Sequence, residues 1–166
     1  MDMKLLWGNP FKKNIPDLEN DIDFLSTVSL FDSLTRRQKY RLFSSIHIRH
    51  YKQGEIVFRQ DDPGVGLYIV RGGLVDVYNE YSDMTRNKIA ELSKGEVFGE
   101  IALLNDSLRS ATVVASKETV LFAFFRTDFL NLMDSDPKIG VKLIYSLAKT
   151  MAERLRLINE DTTLVS

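Results

Sequence analysis

The stretch GEIVFRQDDPGVGLYIVRGGLVDVY, residues 54–78, repeats one pattern, a short apolar segment followed by turn residues. Within each segment apolar and polar residues tend to alternate, which is the period of a half-buried β-strand. Asp62-Pro63-Gly64 and Gly72-Gly73 separate the segments, and such residues favour tight turns. Seven or eight short strands of this kind follow one another from residue 46 to residue 126. This spacing predicts a β-sandwich, barrel or jelly roll rather than a βαβ fold.

Helical spacing flanks the strands on both sides. Thr35 and Gln38 form a capping-box pattern ahead of one short helix. Asp136 followed by Pro137 predicts the start of a long amphipathic helix, because proline is tolerated in the first turn. The predicted apolar stripe of this helix consists of Ile144, Leu147, Met151, Leu155 and Ile158.

The predicted organisation is a single domain with short extensions. Residues 1–20 form an N-terminal arm and residues 161–166 a tail. The domain between them divides into N-terminal helices at 21–45, a β-roll at 46–126 and C-terminal helices at 127–160.

Composition excludes several classes of function. The net charge of −1 over 166 residues gives no general attraction to nucleic acids or acidic membranes. The chain has no cysteine, which removes disulfides, thiolate zinc sites and cysteine nucleophiles and fits a reducing compartment. No apolar window is long enough for a membrane span. We therefore expect a soluble, cytoplasmic protein without a membrane partner.

A second stretch, FGEIALLNDSLRSAT at residues 98–112, interrupts the strand pattern. EIALL predicts a short helical turn, whose N-terminal backbone N–H groups suit an anion. Arg109 carries a permanent charge and a fork of donors that matches two phosphate oxygens. Glu100 offers an acceptor for a sugar hydroxyl. The stretch therefore indicates a site that holds a phosphate and a ribose together.

FGEIALLNDSLRSAT resembles the phosphate-binding cassette of cyclic nucleotide-binding domains, and residues 54–78 resemble the early strands of that family. The family includes the bacterial catabolite activator protein and the regulatory subunits of cyclic-AMP-dependent protein kinase. The resemblance implies an eight-stranded jelly-roll (double-stranded β-helix) barrel with N-terminal helices and a long C-terminal lid helix. It also implies a stand-alone receptor without enzymatic activity or cofactor, which binds cAMP in preference to cGMP and signals to an effector protein.

The resemblance also implies roles for individual residues. Arg109 would pair with the cyclic phosphate, and Glu100 would accept a hydrogen bond from the ribose 2′-hydroxyl. Backbone N–H groups of Ala102 and Ser110 would complete the phosphate cradle. The implied ligand-binding residues are Gly99, Glu100, Ile101, Ala102, Arg109, Ser110 and Ala111. The candidate lid contacts with the base are Arg154, Ile158 and Asn159.

Two residues depart from the pattern of the family. Leu108 stands where many relatives have proline, and Asp106 stands where kinase-type cassettes have glycine. A more flexible and more acidic loop beside an anion site would weaken phosphate binding. We therefore expect these two residues to tune the affinity.

Other interpretations stay open beside the receptor. The chain could be a protein-interaction scaffold that keeps the fold without nucleotide, with Glu100 and Arg109 as a structural ion pair. A metal enzyme is disfavoured, because His47 and His50 are the only histidines and point to opposite faces of a strand. The local basic run predicts a solvated face and no direct nucleic-acid partner, and it consists of Arg36, Arg37, Lys39, Arg41 and Arg49.

Two surfaces suggest protein partners. The apolar stripe of the last helix could pack on its own domain or form a homodimer. The arm that contains Trp7 and Phe11 is a second place where a partner could dock.

Overall fold

The computed structural model of the protein describes residues 15–81 and 85–163, and its side chains between residues 17 and 157. Several predicted features lie outside the described residues. They are arm residues 1–14 with Trp7 and Phe11, loop residues 82–84, tail residues 164–166 and the side chains of Ile158 and Asn159.

The described chain has helices at both ends and strands between them. The helices are α1 (Ile15–Leu25), α2 (Arg36–Phe43), α3 (Ile101–Leu104), α4 (Arg126–Ser135) and α5 (Pro137–Thr163), with a short 3-10 helix at Ser29–Phe31. The strands are β1 (His47–Tyr51), β2 (Ile56–Phe58), β3 (Gly66–Gly72), β4 (Val75–Glu80), β5 (Arg86–Leu92), β6 (Val97–Phe98), β7 (Thr112–Ala115) and β8 (Thr119–Phe125).

The eight strands form two antiparallel four-stranded sheets. The first sheet has the order β1-β8-β3-β6, and the second has the order β2-β7-β4-β5. The prediction of a mainly β fold with flanking helices is confirmed, and the pairings of the described strands join them into two sheets rather than one closed barrel. Because β6 and β7 belong to different sheets, the segment between them passes from one sheet to the other.

The core has two parts, because the inner strands of the first sheet, β3 and β8, are buried on both faces. One face packs against the helices, and its largest strand residues are Leu67, Ile69, Phe122 and Phe124. The other face packs against the second sheet and contributes Tyr68, Val70, Leu121 and Ala123. Burial on both faces explains the nearly continuous apolar runs of these two strands.

The helix termini follow the local sequence signals closely. The capping box is confirmed, since the Thr35 side chain accepts from the backbone N–H of Gln38 and the Gln38 side chain accepts from that of Thr35. α5 begins at Pro137, and the N–H of Ile139 donates to Asp136 Oδ1 at 3.4 Å. α1, however, begins at Ile15, before the predicted boundary at residue 20, because Pro16 occupies its first turn.

The buried face of α5 coincides only in part with the predicted apolar stripe. Its buried hydrophobic side chains are Ile139, Leu143 and Leu147, of which only Leu147 belongs to the predicted stripe. Ile144 is 38% exposed and Leu155 is 63% exposed. The helix carries apolar residues on two faces, and helical spacing alone does not reveal which face meets the sheets. No helix in the described ranges has the length and apolarity needed to cross a bilayer.

Candidate functional site

A cavity of about 690 Å³ lies among strands of both sheets, the segment after β6 and α5. Arg154 of α5 lines it together with Met151 and Leu155. The ligand-binding residues expected from the sequence all line the same cavity, and they are Gly99, Glu100, Ile101, Ala102, Arg109, Ser110 and Ala111. The structure therefore brings the predicted site residues together with one of the three predicted lid residues.

The segment after β6 is held by the loop that connects β2 to β3. The backbone N–H of Arg109 donates to the Asp62 carbonyl oxygen at 2.8 Å, and the N–H of Asp61 donates to the Arg109 carbonyl oxygen at 2.9 Å. The N–H of Gly64 donates to the Ser107 carbonyl oxygen at 3.1 Å. A Cβ on Gly64 would lie 2.7 Å from that oxygen, so only glycine permits the close approach.

Arg109 is a buried cation, 5% exposed, that is held by backbone carbonyl groups. Its Nη2 donates to the Gly66 carbonyl oxygen at 2.8 Å and its Nη1 to the Gly99 carbonyl oxygen at 3.3 Å. Its Nε is buried without a hydrogen-bond partner, and no carboxylate in the described part of the chain forms an ion pair with it. The arrangement leaves a positive charge at the cavity without a directly bonded counter-ion.

Burial lowers the pKa of Arg109, and the nearby Tyr68, Asp62 and Glu100 oppose this shift. An arginine nevertheless stays protonated in proteins, because its ordinary pKa is so high. A buried charge that lacks a directly paired counter-ion is costly, so the site favours an anion that supplies one.

Glu100 is also buried, and its partner is on α5. Its Oε1 accepts a hydrogen bond from Nη1 of Arg154, and Nη2 of the same arginine donates to the Val97 carbonyl oxygen at 3.1 Å. The ion pair of Glu100 is thus formed with Arg154 and not with Arg109. This contact joins residues 54 positions apart and ties α5 to the cavity.

The rest of the cavity wall is apolar. On β5, the consecutive residues Ile89 and Ala90 both line it. The pairing of β4 with β5 shifts register between Val77 and Tyr78, and this irregularity leaves Ile89 unpaired. A bulge redirects side chains in this way. The aliphatic strand residues of this wall carry no signal in the sequence that assigns them to the site, and they are Val77, Ile89, Ala90, Leu92, Val97 and Val113.

Both departures from the cassette pattern are exposed, and Leu108 also lines the cavity. Asp106 is exposed and forms an ion pair with Arg126 at the start of α4, a partner that the sequence analysis missed. Leu108 is exposed and forms an isolated β-bridge with Pro63. The N–H of Ala102, expected to face a phosphate, donates to the Gly99 carbonyl oxygen at 3.3 Å.

The histidines and the basic run occupy other parts of the molecule. His47 Nε2 lies 2.9 Å from Asp128 Oδ2, whereas His50 lines a smaller second cavity. Within the described ranges, no three His, Cys, Asp or Glu residues are grouped so that they could hold a metal ion. Arg36 of the basic run forms ion pairs with Glu19 and Asp23.

Comparison with known proteins identifies the family. Residues 48–136, more than half of the chain, match the family model of the cyclic nucleotide-binding domain. The chain is 35% identical over 137 residues to the Cyclic AMP receptor protein of Thermus thermophilus, covering 82% of this chain and 62% of the receptor. It is 37% identical over 122 residues to the cGMP-dependent protein kinase of Plasmodium berghei, covering 69% of this chain and 14% of the kinase.

Solved structures agree with the sequence comparison. The crystal structure of the Thermus thermophilus catabolite activator protein matches with a TM-score of 0.74 and 34% identity, over 82% of this chain and 62% of that one. The chain thus spans less than two thirds of the length of each of these relatives. The chain belongs to the cyclic nucleotide-binding domain family.

Proposed function

We propose that the protein is a receptor that binds a cyclic nucleotide, cAMP in preference to cGMP, in the cavity beside Arg109. The observation that carries this proposal is the buried Arg109 guanidinium, which has an unpartnered Nε and no carboxylate partner in the described part of the chain. A cyclic phosphate would supply the missing negative charge and accept hydrogen bonds from the guanidinium. The cavity volume lies in the range usual for small-molecule sites.

In this proposal the ribose lies at Glu100. The carboxylate has two oxygens, and only Oε1 accepts from Arg154. The 2′-hydroxyl can therefore donate to Oε2 without displacing the arginine. Backbone N–H groups of Ala102 and Ser110 would turn toward the phosphate and complete its cradle.

The base would rest on the apolar wall formed by strands and by Met151 and Leu155 of α5. Guanine carries more hydrogen-bonding groups on its edge than adenine, and an apolar wall leaves such groups unsatisfied. This difference supports cAMP as the preferred ligand. Arg154 and Asn159 are the polar residues of α5 that we expect near the base, with Ile158 packing beside them.

The output of the receptor would be a change in the position of α5. Arg154 links this helix to Glu100, so a ligand that binds Glu100 changes the restraint on the helix. Such a ligand shifts the equilibrium between two positions of α5 only to the extent that its affinity differs between them. An effector protein would then recognise α5. The expectation that no nucleic acid binds directly stays a prediction.

The exposed face of α5 supports a homodimer as well. Val141, Ile144, Ala148, Met151 and Leu155 follow heptad spacing, which is the pattern of a helix–helix seam. Val141 is 68% exposed, so this end of the seam is uncovered in one copy of the chain.

Calorimetric titration with cAMP and with cGMP tests the receptor proposal. We expect micromolar or tighter binding by the wild type. Arg109→Ala should weaken it by about 2–5 kcal/mol, which is a factor of tens to thousands. Arg36→Ala, an exposed arginine outside the cavity, is the control and should bind like the wild type. No binding of either nucleotide at millimolar concentration would contradict the proposal and leave the scaffold interpretation.

A further inference from the structure

Arg109 rests on aromatic rings that come from both sheets. Its Cζ lies 4.1 Å from the ring centroid of Phe58 on β2 and 5.7 Å from that of Tyr68 on β3. Phe98 on β6 stacks on Tyr68 with centroids 5.5 Å apart and lies 5.9 Å from Phe58. We call these three residues the aromatic floor. It links the second sheet, through Phe58, to the first sheet, through the other two rings.

The hydrogen bonds of Arg109 do not by themselves explain how its charge is tolerated. Two carbonyl oxygens accept from Nη1 and Nη2, but they bring no full negative charge. An aromatic face attracts a cation electrostatically, and the attraction grows when the pair is removed from water. The short distance to Phe58 places its ring among the main stabilising contacts of the guanidinium.

A ring and a carboxylate have different consequences for an anion site. A carboxylate beneath Arg109 would neutralise the guanidinium and repel an incoming phosphate. A ring orients the guanidinium without cancelling its net charge, because the ring carries a quadrupole and no net charge. The aromatic floor therefore holds the cation in place and leaves its charge available.

The local geometry of β2 supports a dedicated position for Phe58. The pairing of β2 with β7 shifts register between Ile56 and Phe58. An irregularity of this kind re-aims a side chain, and the ring of Phe58 lies at the cavity with Arg109 above it. Phe58 is half-buried at the edge of the second part of the core, so its ring contacts the core on one side and Arg109 on another.

We propose that Phe58, supported by Tyr68, is a positioning residue for anion binding, which fixes Arg109 through its ring face and preserves the positive charge for the phosphate. The inference rests on the proposed function, because it assigns a role within the same site.

The first experiment changes the electronics of the ring and keeps its shape. In the variant Phe58→pentafluorophenylalanine, the fluorinated ring has a face that no longer attracts cations. We expect it to bind cAMP about tenfold more weakly than the wild type in calorimetry, as should Phe58→Leu. Phe58→Tyr keeps an attractive face and should restore the affinity. Pentafluorophenylalanine at Phe129, a ring in the helix-side core, is the control and should leave binding unchanged.

The second experiment needs no nucleotide. In NMR spectra of protein labelled with ¹⁵N-arginine, the ring current of Phe58 should change the chemical shift of the Arg109 Nε–H. The Arg109 side chain should also be ordered. In Phe58→Leu we expect the Nε–H resonance to move toward the position of a flexible arginine. If the resonance is unchanged, or if the fluorinated protein binds cAMP like the wild type, the positioning role is overturned. If the wild type binds no nucleotide but the resonance still depends on Phe58, the receptor proposal fails, whereas the conclusion that Phe58 fixes the position of Arg109 is retained.

Discussion

At the residue scale, the site depends on a glycine that leaves room for the guanidinium. Gly99 has a φ of +73°, and a Cβ at this position would lie 2.5 Å from Arg109 Nη1. Gly99→Ala should therefore displace Arg109 and lower the affinity for a cyclic nucleotide, as well as the free energy of unfolding. Calorimetric titration and urea unfolding measure the two effects.

Gly95→Ala is the matched control for this substitution. Gly95 has a φ of +93°, but a Cβ there meets nothing within 4 Å. Both variants should lose about 1 kcal/mol of stability from the left-handed backbone. Only Gly99→Ala should lose ligand affinity, and an equal loss of affinity in both variants would contradict the steric explanation.

Asp106 gives a second prediction at this scale. Its ion pair with Arg126 is formed by a carboxylate that is 87% exposed, and such pairs contribute about 0–1 kcal/mol. Asp106→Asn should therefore change both the stability and the affinity for cAMP only slightly. An affinity increase of about tenfold, which corresponds to 1.4 kcal/mol, would instead show that this carboxylate repels the phosphate.

At the scale of elements, the buried apolar side chains of α5 lie in its first half, whereas Arg154 holds the second half at the cavity. Leu147→Ala removes a fully buried side chain and should lower the free energy of unfolding by about 2–5 kcal/mol. Leu157→Ala, on the exposed second half, should change it by no more than about 0.5 kcal/mol. Urea unfolding compares the two. Similar losses would mean that the second half also packs against the domain.

Elements with local signals could be predicted from the sequence. The capping box at Thr35 and the start of α5 at Pro137 depend on residues within one helical turn of each other. β6 has no such signal, because two residues are too few for a periodic pattern and only the pairing with β3 defines this strand. Which apolar face of α5 is buried could not be predicted for a similar reason, since the position of the sheets selects that face.

The candidate site also has a part that could be predicted from local sequence and a part that depends on the folded structure. Glu100 and Arg109 lie in one short motif, and the structure places both at the cavity. The contact of Arg154 with Glu100 depends on where α5 crosses the cavity, and that position is set by the tertiary structure. The aromatic floor collects single residues from three strands, so no stretch of sequence contains it.

At the scale of the whole molecule, the exposed face of α5 predicts self-association. Sedimentation of the purified protein should show a dimer, and Val141→Glu should convert it to a monomer by placing a charge in the seam. Leu104→Glu on α3 is the control, since it adds the same charge to an exposed apolar position outside that helix. If the wild type sediments as a monomer at every concentration tested, the prediction that this face of α5 joins two copies of the chain is contradicted.

The uneven attachment of α5 has a consequence for how the molecule opens. Ile139, Leu143 and Leu147 are buried, whereas none of the side chains described from residue 148 to residue 157 is. The turns of this 27-residue helix that follow Arg154 can therefore unwind while the sheets stay folded. Amide hydrogens near Leu143 should exchange with solvent only when the whole domain unfolds, and those beyond Leu157 should exchange through local fraying. A signal carried by the C-terminal end of α5 would then be a change in the fraction of molecules in which that end is helical.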